Sequence, residues 1–574
     1  MFNPKSRRDF IKLSAYGLGT AILSFGISGC DDNLSEGILF SHGVASGDPL
    51  QDRVILWTRA LPQDVSKTPT VRISWEVALD PGFAALVNAG TAETSAERDF
   101  TVKIDAAGLQ SGTRYYYRFR SKDLVSPVGK TRTLVGDDAE QVSLAIVSCS
   151  NFPAGRFHVY KEISKLTDID AVVHLGDYLY EYQRGGYASA QAAALGREVL
   201  PAHEILTLAD YRTRYAQYRS DSDLQALHQN HPFIAVWDDH EVANNSWREG
   251  AINHQAEEGV FEFRKLQALQ AYSEWIPVRP QAPDDNTIIY RSFKFGKLVA
   301  LHMLDTRLAG RDQPLLYPDY FQADEFDGIE LQADITDPDR SLLGPVQREW
   351  IEGQIAQADT QWQVLGQQVL MGRMYLPGAL STQQISLAGF SRLVKLATMA
   401  AQGVELSVAD AEFLAANRKL LSFPALPYNL DAWDAFEAER QNILQAAKAA
   451  ASNLIVLAGD SHNAWANDLV DASQEPCGVE FATPSVTSPG LEVILGIPKE
   501  AVVATEQQVL SLIKNLRYTN INDRGYMITS FTESEATAEF FFVSGILDET
   551  YTMLPQRSKK LTVKHGERRI HQGV

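Results

Sequence analysis

The stretch that decides the fold is AVVHLGDYLYEYQ, residues 171–183. Its first half is a short apolar run rich in β-branched residues, which is typical of a buried strand. The run ends abruptly at Gly176 and Asp177, and Tyr180 follows three residues after the aspartate. An aspartate after a strand is commonly a turn residue or a helix N-cap, so this stretch alone does not define a site.

Four other strand-like runs end in the same kind of residue. The five runs end in Cys149 and Asn151; Asp177 and Tyr180; Asp238, Asp239, His240, Asn244 and Asn245; Asp305 and Arg307; and Asp460, His462 and Asn463. Because ligands bind beyond the carboxyl ends of the strands in α/β sheets, we expect these side chains to meet. Five such ends are too many to explain as caps alone.

The types of side chain in this group indicate metal ions. Carboxylates, an imidazole and amide oxygens suit divalent or trivalent cations, and a thiolate with a phenolate favours iron at one site. Ligands that are all oxygen favour calcium, magnesium or manganese at a second site. Two neighbouring ions can hold the attacking and leaving oxygens of a phosphoryl group, and the nucleophile is then a metal-bound hydroxide.

Length and charge set limits on the function. A chain of 574 residues has room for two or more domains. The formal net charge of -20 argues against non-specific binding to nucleic acid, which requires a basic surface.

The first 30 residues are expected to be a targeting segment. SRRDFIK, residues 6–12, matches the twin-arginine export pattern, and a glycine-containing apolar run follows it. ISGC, residues 27–30, resembles a lipoprotein cleavage box in which Cys30 becomes the lipidated first residue. The alternative is a transmembrane anchor, for which the run is short and rich in glycine and serine. We expect export by the twin-arginine machinery to the periplasm or cell surface, with a lipid anchor at Cys30.

Composition divides the remaining chain into three parts. Residues 36–136 alternate apolar and polar side chains between turns, which predicts an all-β domain, and AGLQSGTRYYYRFR resembles the tyrosine-bearing strand of a fibronectin-type sandwich. Residues 137–550 mix apolar runs with helical periodicity, which predicts an α/β or α+β catalytic domain. Within it, residues 378–425 are expected to form a helical insertion or lid. Residues 551–574 are basic and are expected to be a solvated tail.

Several motifs together resemble a known family. GDxxY, DDHE and GDSH look like altered metallophosphatase blocks, and the alterations resemble the PhoD-like alkaline phosphatase / phospholipase D family. The same resemblance extends to HGVASGDPLQDRVILWTR (42–59), SCSNFPAGRFHVY (148–160), LDTR (304–307), DAWDAFEAER (431–440) and EFATPSVTSPG (480–490). It implies an α/β (α+β) metallophosphatase-like two-sheet sandwich flanked by helices, preceded by the fibronectin-type domain.

The resemblance also implies roles for particular residues. Asp177 would bridge two metals, with a ferric ion on one side and calcium on the other. The ferric site would be completed by Cys149, Tyr180 and His462, and the calcium site by Asp239 and Asp460. His240 would contact phosphate or protonate the leaving group, Arg156 would clamp phosphate, and Asn245 would supply an amide ligand or phosphate contact. Manganese, magnesium or zinc are the alternative metals.

Some alternatives stay open in the sequence. Cys149 could pair with Cys477 in a disulfide, and Tyr180 could be a half-buried core aromatic. Asp305 and Arg307 could form a structural ion pair. Gln367 stands where the family usually has asparagine, which puts the geometry of that loop in doubt.

The sequence therefore supports three functions. The first is a secreted phosphatase that hydrolyses phosphate monoesters. The second is a phosphodiesterase or phospholipase D-like enzyme that uses the same metal site. The third is a cell-envelope binding protein with a degenerate site, against which the complete ligand set from Cys149 to His462 argues.

Overall fold

The computed structural model describes residues 33–282, 285–323 and 325–572. The predicted export signal and lipidated Cys30 lie outside the described residues. Among the described residues, every helix is too short or too polar to span a bilayer.

The strands are numbered in chain order. They are β1 Ile38–Leu39, β2 Val44–Gly47, β3 Arg53–Arg59, β4 Leu61–Pro62, β5 Thr70–Ala78, β6 Leu86–Ser95, β7 Thr101–Ala107, β8 Arg114–Arg120, β9 Gly129–Arg132, β10 Val142–Val147, β11 Ala171–His174, β12 Pro232–Ala235, β13 Ser246–Trp247, β14 Gly250–Ala251, β15 Arg291–Phe295, β16 Val299–Met303, β17 Phe321–Gln322, β18 Glu325–Phe326, β19 Trp362–Gly366, β20 Tyr375–Pro377, β21 Ala425–Pro427, β22 Leu454–Ala458, β23 Ala464–Val470, β24 Pro476–Ala482, β25 Leu516–Asn520, β26 Gly525–Phe531, β27 Glu535–Phe542, β28 Lys559–Lys564 and β29 Ile570–Gln572.

The α-helices are numbered in the same way. They are α1 His158–Ser164, α2 Ala192–Leu195, α3 Leu208–Tyr218, α4 Ser222–Asn230, α5 Phe261–Trp275, α6 Gly328–Ile335, α7 Gly344–Ala356, α8 Gly378–Ser381, α9 Leu387–Ala401, α10 Val408–Asn417, α11 Glu437–Ala449, α12 Leu491–Ile494 and α13 Val502–Leu512.

Two mixed sheets form the body of the protein. The larger has the order β29-β28-β27-β26-β10-β11-β12-β2-β3-β7, and its centre, from β10 to β2, is parallel. The smaller has the order β15-β16-β19-β22-β24-β23-β25, with a parallel centre from β16 to β24. The central strands are continuous apolar runs because both of their faces are covered.

One hydrophobic cluster contains side chains from both sheets. Ile146 and Val173 belong to the larger sheet, and Val364 and Leu457 to the smaller. Helices cover the outer faces: α1 and α4 contribute to this cluster, and α7 and α11 pack in a second cluster over the smaller sheet. At the carboxyl ends of β10 and β24 a parallel bridge between Ser148 and Ser485 joins the two sheets.

The predicted 36–136 domain shares three of its strands with the larger sheet. Its four-stranded sheet, β6-β5-β8-β9, packs through Ile73 and Tyr117 onto Val54 and Leu56 of β3. The strands β2, β3 and β7 belong to the large sheet, because β2 pairs in parallel with β12. β2 is short and buried throughout, so it lacks the alternation that would have predicted its pairing.

One detail agrees with the expected sandwich. The hydroxyl of Tyr115 accepts a hydrogen bond from the backbone N–H of Gln110 at 2.7 Å. This is the tyrosine corner that is typical of such domains. The comparison with fibronectin-type domains stays a prediction.

The segment predicted as an insertion is helical. β20 and β21 pair at its base, and α8, α9 and α10 lie between them. It has a small core of its own, which includes Leu393, Leu396 and Leu414. A role as a lid stays a prediction.

The predicted solvated tail is wrong. β28 pairs with β27, and β29 pairs with β28, so most of the basic segment extends the larger sheet. Leu561 and Val563 point into the core while Lys560 and Lys564 are exposed. The prediction relied on the number of basic residues. It did not use the period-two alternation, which is the signal of a half-buried strand.

Candidate metal centre and active site

The predicted ligands follow the parallel strands at the edge where the two sheets meet. Cys149 comes two residues after β10, Asp177 three after β11, and Asp239 four after β12 in the larger sheet. Asp460 and His462 come after β22 in the smaller sheet. The rule that parallel strands present ligands at their carboxyl ends therefore accounts for the position of the cluster.

Five site residues have left-handed backbone conformations. The φ angles are 62° at Cys149, 56° at Asp177, 51° at Asn245, 57° at Asp460 and 62° at His462. Such angles are uncommon outside glycine and cost free energy, so they persist only where the surrounding structure imposes them. The turns after the strands are held in these conformations so that the side chains converge.

Three overlapping groups of side chains could hold metal ions. In each group the ligand atoms lie within 4.8 Å of one another, and the groups are Cys149, Asp177 and His462; Asp177, Asp239 and His240; and Asp238, Asp239 and Asp460. Asp177 is shared by the first two groups, which is the position expected of a bridging ligand. Asp239 is shared by the second and third.

Tyr180 lies in the first group as well. Its hydroxyl donates to Asp177 Oδ2 at 2.8 Å, lies 3.2 Å from His462 Nε2, and accepts from Ser488 Oγ at 2.6 Å. The structure thus brings Cys149, Asp177, Tyr180 and His462 together, as the sequence predicted. Their roles as ligands stay a prediction.

The carboxylates carry oxygens that are well placed for cations. Among the described residues, Asp177 Oδ1, Asp238 Oδ2 and Asp239 Oδ1 are buried and have no hydrogen-bond partner. A buried carboxylate oxygen without a partner is costly, and a bound cation would remove that cost. Oxygen ligands suit calcium, and the thiol, phenol and imidazole suit iron, so the donor set fits both ions.

Arg307 is the buried cation of the centre. Its guanidinium contacts Asp238 Oδ1 at 2.5 Å, Asp431 Oδ2 at 2.6 Å and Asp460 Oδ1 at 2.7 Å. The alternative of an Asp305–Arg307 ion pair is wrong, because Asp305 Oδ1 instead accepts the backbone N–H of Arg307. Arg307 neutralises part of the carboxylate charge and fixes the carboxylates in place.

The charges of the centre shift several pKa values. Burial raises the pKa of Asp460 to about 7, although Arg307 acts against the rise. Burial also opposes ionisation of Asp239, but Arg307 and His240 outweigh it and lower the pKa of that carboxyl. Burial opposes protonation of His240, yet neighbouring carboxylates, Glu181 first among them, raise its pKa well above the ordinary value.

Three other predicted residues have different surroundings. The guanidinium of Arg156 lies 3.4 Å from the exposed carboxylate of Glu549, so the structure places it against that group and not in the ligand cluster. The backbone N–H of Asn245 donates to Asp239 Oδ2 at 2.5 Å, which puts this residue beside the candidate ligands. Gln367 is buried and accepts from Trp433 Nε1 at 2.8 Å, so it acts in packing at this loop.

The disulfide alternative is wrong. Cys149 and Cys477 are both buried and both are free thiols within the described part of the chain. Cys149 therefore keeps its sulfur available to a metal.

Metal binding should tighten as the pH rises. Burial raises the pKa of the Cys149 thiol and of the Tyr180 phenol well above their ordinary values, so both are protonated at neutral pH in the metal-free protein. A metal that binds both must release two protons, and we expect the apparent affinity to rise by about 100-fold per pH unit. Competition with a chelator between pH 6.5 and 8.5 measures this slope. A slope of zero would contradict ligation by these two side chains.

The sequence missed some residues of the centre. Asp238 is among the strand-end residues that the sequence predicts to meet, but the sequence indicates no separate role for it. Glu181, which binds His240, and Ser488, which binds Tyr180, carry no sequence signal of their own. They are recognised only from the contacts.

The fold and the centre define an α/β protein with a cluster of candidate metal ligands at the strand ends of two sheets. The family model described as PhoD-like phosphatase matches residues 144–540, and the model of the N-terminal domain of PhoD-like phosphatases matches residues 31–135. The chain belongs to the PhoD-like phosphatase family. The resemblance seen in the sequence is confirmed, and so is the prediction that the protein is a phosphatase of this family.

Two relatives show the extent of the similarity. Alkaline phosphatase D of Bacillus subtilis (strain 168) is 32% identical over 561 residues, which cover 94% of this chain and 84% of the relative. A solved structure described as the structure of PhoD has a TM-score of 0.74 and 29% identity, and the match covers 94% of this chain and 93% of the other. The similarity thus includes both the N-terminal region and the metal centre.

Proposed function

We propose that this protein is a secreted metal-dependent phosphatase that hydrolyses phosphate monoesters. The observation that carries the proposal is the set of three overlapping ligand groups, which share Asp177 and Asp239 and contain buried carboxylate oxygens without partners among the described residues. Membership in the PhoD-like phosphatase family and the similarity to an alkaline phosphatase support it.

The proposed ions are Fe³⁺ and Ca²⁺. Cys149, Asp177, Tyr180 and His462 would hold the iron, and Asp177, Asp239 and Asp460 the calcium. Manganese, magnesium or zinc are the alternative occupants. When bound, such ions polarise the phosphoryl oxygens and lower the pKa of water.

The chain itself supplies orientation and a proton. His240 lies in one ligand group with Asp177 and Asp239, so it is close to the point where a phosphoryl group would bind. We propose that it contacts the phosphoryl group or protonates the leaving oxygen. Tyr182 is half-buried with its ring 5.4 Å from that of His240, and the half-buried Tyr187 packs against Tyr182.

Replacing Tyr180 by phenylalanine should remove the colour of the iron centre. Phenolate bound to Fe³⁺ absorbs visible light, so the wild-type protein exported by its native host should be coloured. Tyr180→Phe should lose this absorption and lose about 100-fold in hydrolysis of p-nitrophenyl phosphate. The matched control is Tyr178→Phe, because the hydroxyl of Tyr178 bonds to His228 and not to the metal ligands.

The outcomes separate the alternatives. A colourless protein that contains zinc or manganese and still hydrolyses the ester would overturn the iron assignment only. Faster hydrolysis of bis-(p-nitrophenyl) phosphate than of the monoester would favour the phosphodiesterase or phospholipase D-like alternative. A protein that binds metals but hydrolyses neither ester would favour the third alternative, a cell-envelope binding protein.

Export and anchoring are part of the same proposal. The twin-arginine pattern and the cysteine box support delivery across the inner membrane and lipidation of Cys30. Mass spectrometry of the mature N-terminus tests this, and an unmodified Cys30 would exclude the anchor.

A further inference from the structure

Glu181 is fully buried beside the candidate metal centre, and both of its carboxylate oxygens accept hydrogen bonds. Its Oε2 lies 2.6 Å from Nδ1 of His240. Its Oε1 accepts from the backbone N–H of Asn244 and from Nδ2 of Asn253, both at 2.8 Å. A carboxylate engaged by three donors differs from Asp177, whose Oδ1 lacks a hydrogen-bond partner among the described residues. Glu181 therefore binds the histidine and belongs to none of the candidate ligand groups.

The ring of His240 is held by more than this one bond. The ring centroid lies 4.1 Å from that of Tyr180 and 5.4 Å from that of Tyr182. The histidine is buried, so a flip of the ring would break the bond to Glu181 without replacing it by water. With Nδ1 engaged, Nε2 is the ring nitrogen left for the substrate.

We propose that Glu181 is a positioning residue that holds His240 with Nε2 towards the leaving oxygen, so that its loss has the largest effect on phosphate esters of alcohols. The inference rests on the proposed function. An alkoxide is a poor leaving group and needs a proton as the bond breaks, whereas p-nitrophenolate leaves readily without one. A histidine held in a fixed orientation is thus most useful with alkyl phosphates.

The proposed step balances in atoms and electrons. A bond forms between phosphorus and the oxygen of a water molecule, and the bond between phosphorus and the ester oxygen breaks. The ester oxygen keeps the electron pair of that bond, takes the proton of His240 Nε2 and departs as an alcohol. The water proton passes to solvent, and His240 regains a proton from solvent.

The test is the substitution Glu181→Gln. The amide replaces one acceptor oxygen by a donor, so it opposes at least one of the three donors around it. We expect kcat to fall about 10- to 100-fold with KM nearly unchanged. The fall should be larger for glycerol phosphate than for p-nitrophenyl phosphate. Glu181→Asp keeps the charge and should restore part of the loss.

A double substitution separates positioning from a general structural effect. In a His240→Gln background, Glu181→Gln should lower kcat no further, because the interaction that it supports is already gone. Glu274→Gln is the matched control: Glu274 is half-buried, belongs to none of the ligand groups and accepts from Arg212 at 2.6 and 2.7 Å. It should change neither kcat nor the ratio between the two substrates.

Elemental analysis of each variant completes the experiment. Wild-type metal content in Glu181→Gln, with a selective loss on glycerol phosphate, supports the inference. Equal losses on both esters, an additive effect in the His240→Gln background, or loss of the metals would overturn it. If the wild-type protein hydrolyses neither ester, the proposed function itself fails; if it hydrolyses both, only the role of Glu181 is in question.

Discussion

Replacing Asp177 by asparagine should abolish hydrolysis and leave the fold intact. Asp177 belongs to two ligand groups, so the change removes one negatively charged ligand from each of the two proposed metal sites. Asparagine tolerates the left-handed conformation that Asp177 has, with φ at 56°, so the backbone should not change. We expect kcat/KM to fall by at least about 10³-fold, which corresponds to the several kcal/mol that a metal ion contributes to the transition state.

Asp48→Asn is the matched control for this prediction. Asp48 also follows a strand of the larger sheet and has a positive φ, 41°, but its carboxylate is paired with Arg291 at 2.6 Å. Breaking a buried ion pair costs stability, about 3–5 kcal/mol. We therefore expect Asp48→Asn to lower the free energy of unfolding and keep the metals. Asp177→Asn should lose the metals, and its free energy of unfolding should equal that of the metal-free wild-type protein.

The measurements are metal content, ester hydrolysis and thermal unfolding of both variants. A protein with Asp177→Asn that keeps full activity would exclude every enzymatic role proposed for this centre. If Asp177→Asn unfolds as Asp48→Asn does, the aspartate is structural and the metal assignment fails.

Replacing Gly176 by alanine should destabilise the protein severely. Gly176 has φ at 103°, which side-chain-bearing residues rarely adopt. An added Cβ would lie 2.4 Å from Cβ of Asp238 and 2.5 Å from its backbone nitrogen, and neither can move without shifting the turn after β12. Strain and overlap together should cost about 3–5 kcal/mol of unfolding free energy. The metal ligands on both turns should be displaced.

Gly185→Ala is the control, because it isolates the backbone cost. Gly185 has φ at 79°, and no described atom lies within 4 Å of an added Cβ. We expect a loss of about 1 kcal/mol there and normal metal content. Denaturant unfolding of both variants gives the comparison. Equal losses would show that contact with Asp238 does not limit this position.

The sequence was sufficient to predict the parallel centre of the fold and the convergence of most of the candidate ligands. The apolar runs before Cys149, Asp177 and Asp460 end in residues whose chemistry is unusual for turns, and the ends of parallel strands must meet at one edge. These signals depend on local residue type and strand direction, both of which are readable from the chain.

Contacts between distant segments could not be predicted in the same way. β2 is buried throughout and carries no alternation, so its residues do not indicate that it pairs with β12. Arg307 meets three carboxylates from three other segments, those of Asp238, Asp431 and Asp460, and only the three-dimensional structure shows this arrangement. The basic C-terminal segment was wrongly predicted to be a solvated tail, because the prediction relied on its charge and not on its alternation of apolar and polar residues.

The bridge between Ser148 and Ser485 has a consequence for the order of assembly. It joins the two sheets beside Cys149, and the ligands on either side of it are separated by some 300 residues of chain. The complete coordination sphere therefore exists only after both halves of the polypeptide have folded and docked. In an unfolded chain the donor atoms would be far apart. The ions should therefore bind only after the protein has folded, and they stabilise the folded state by mass action.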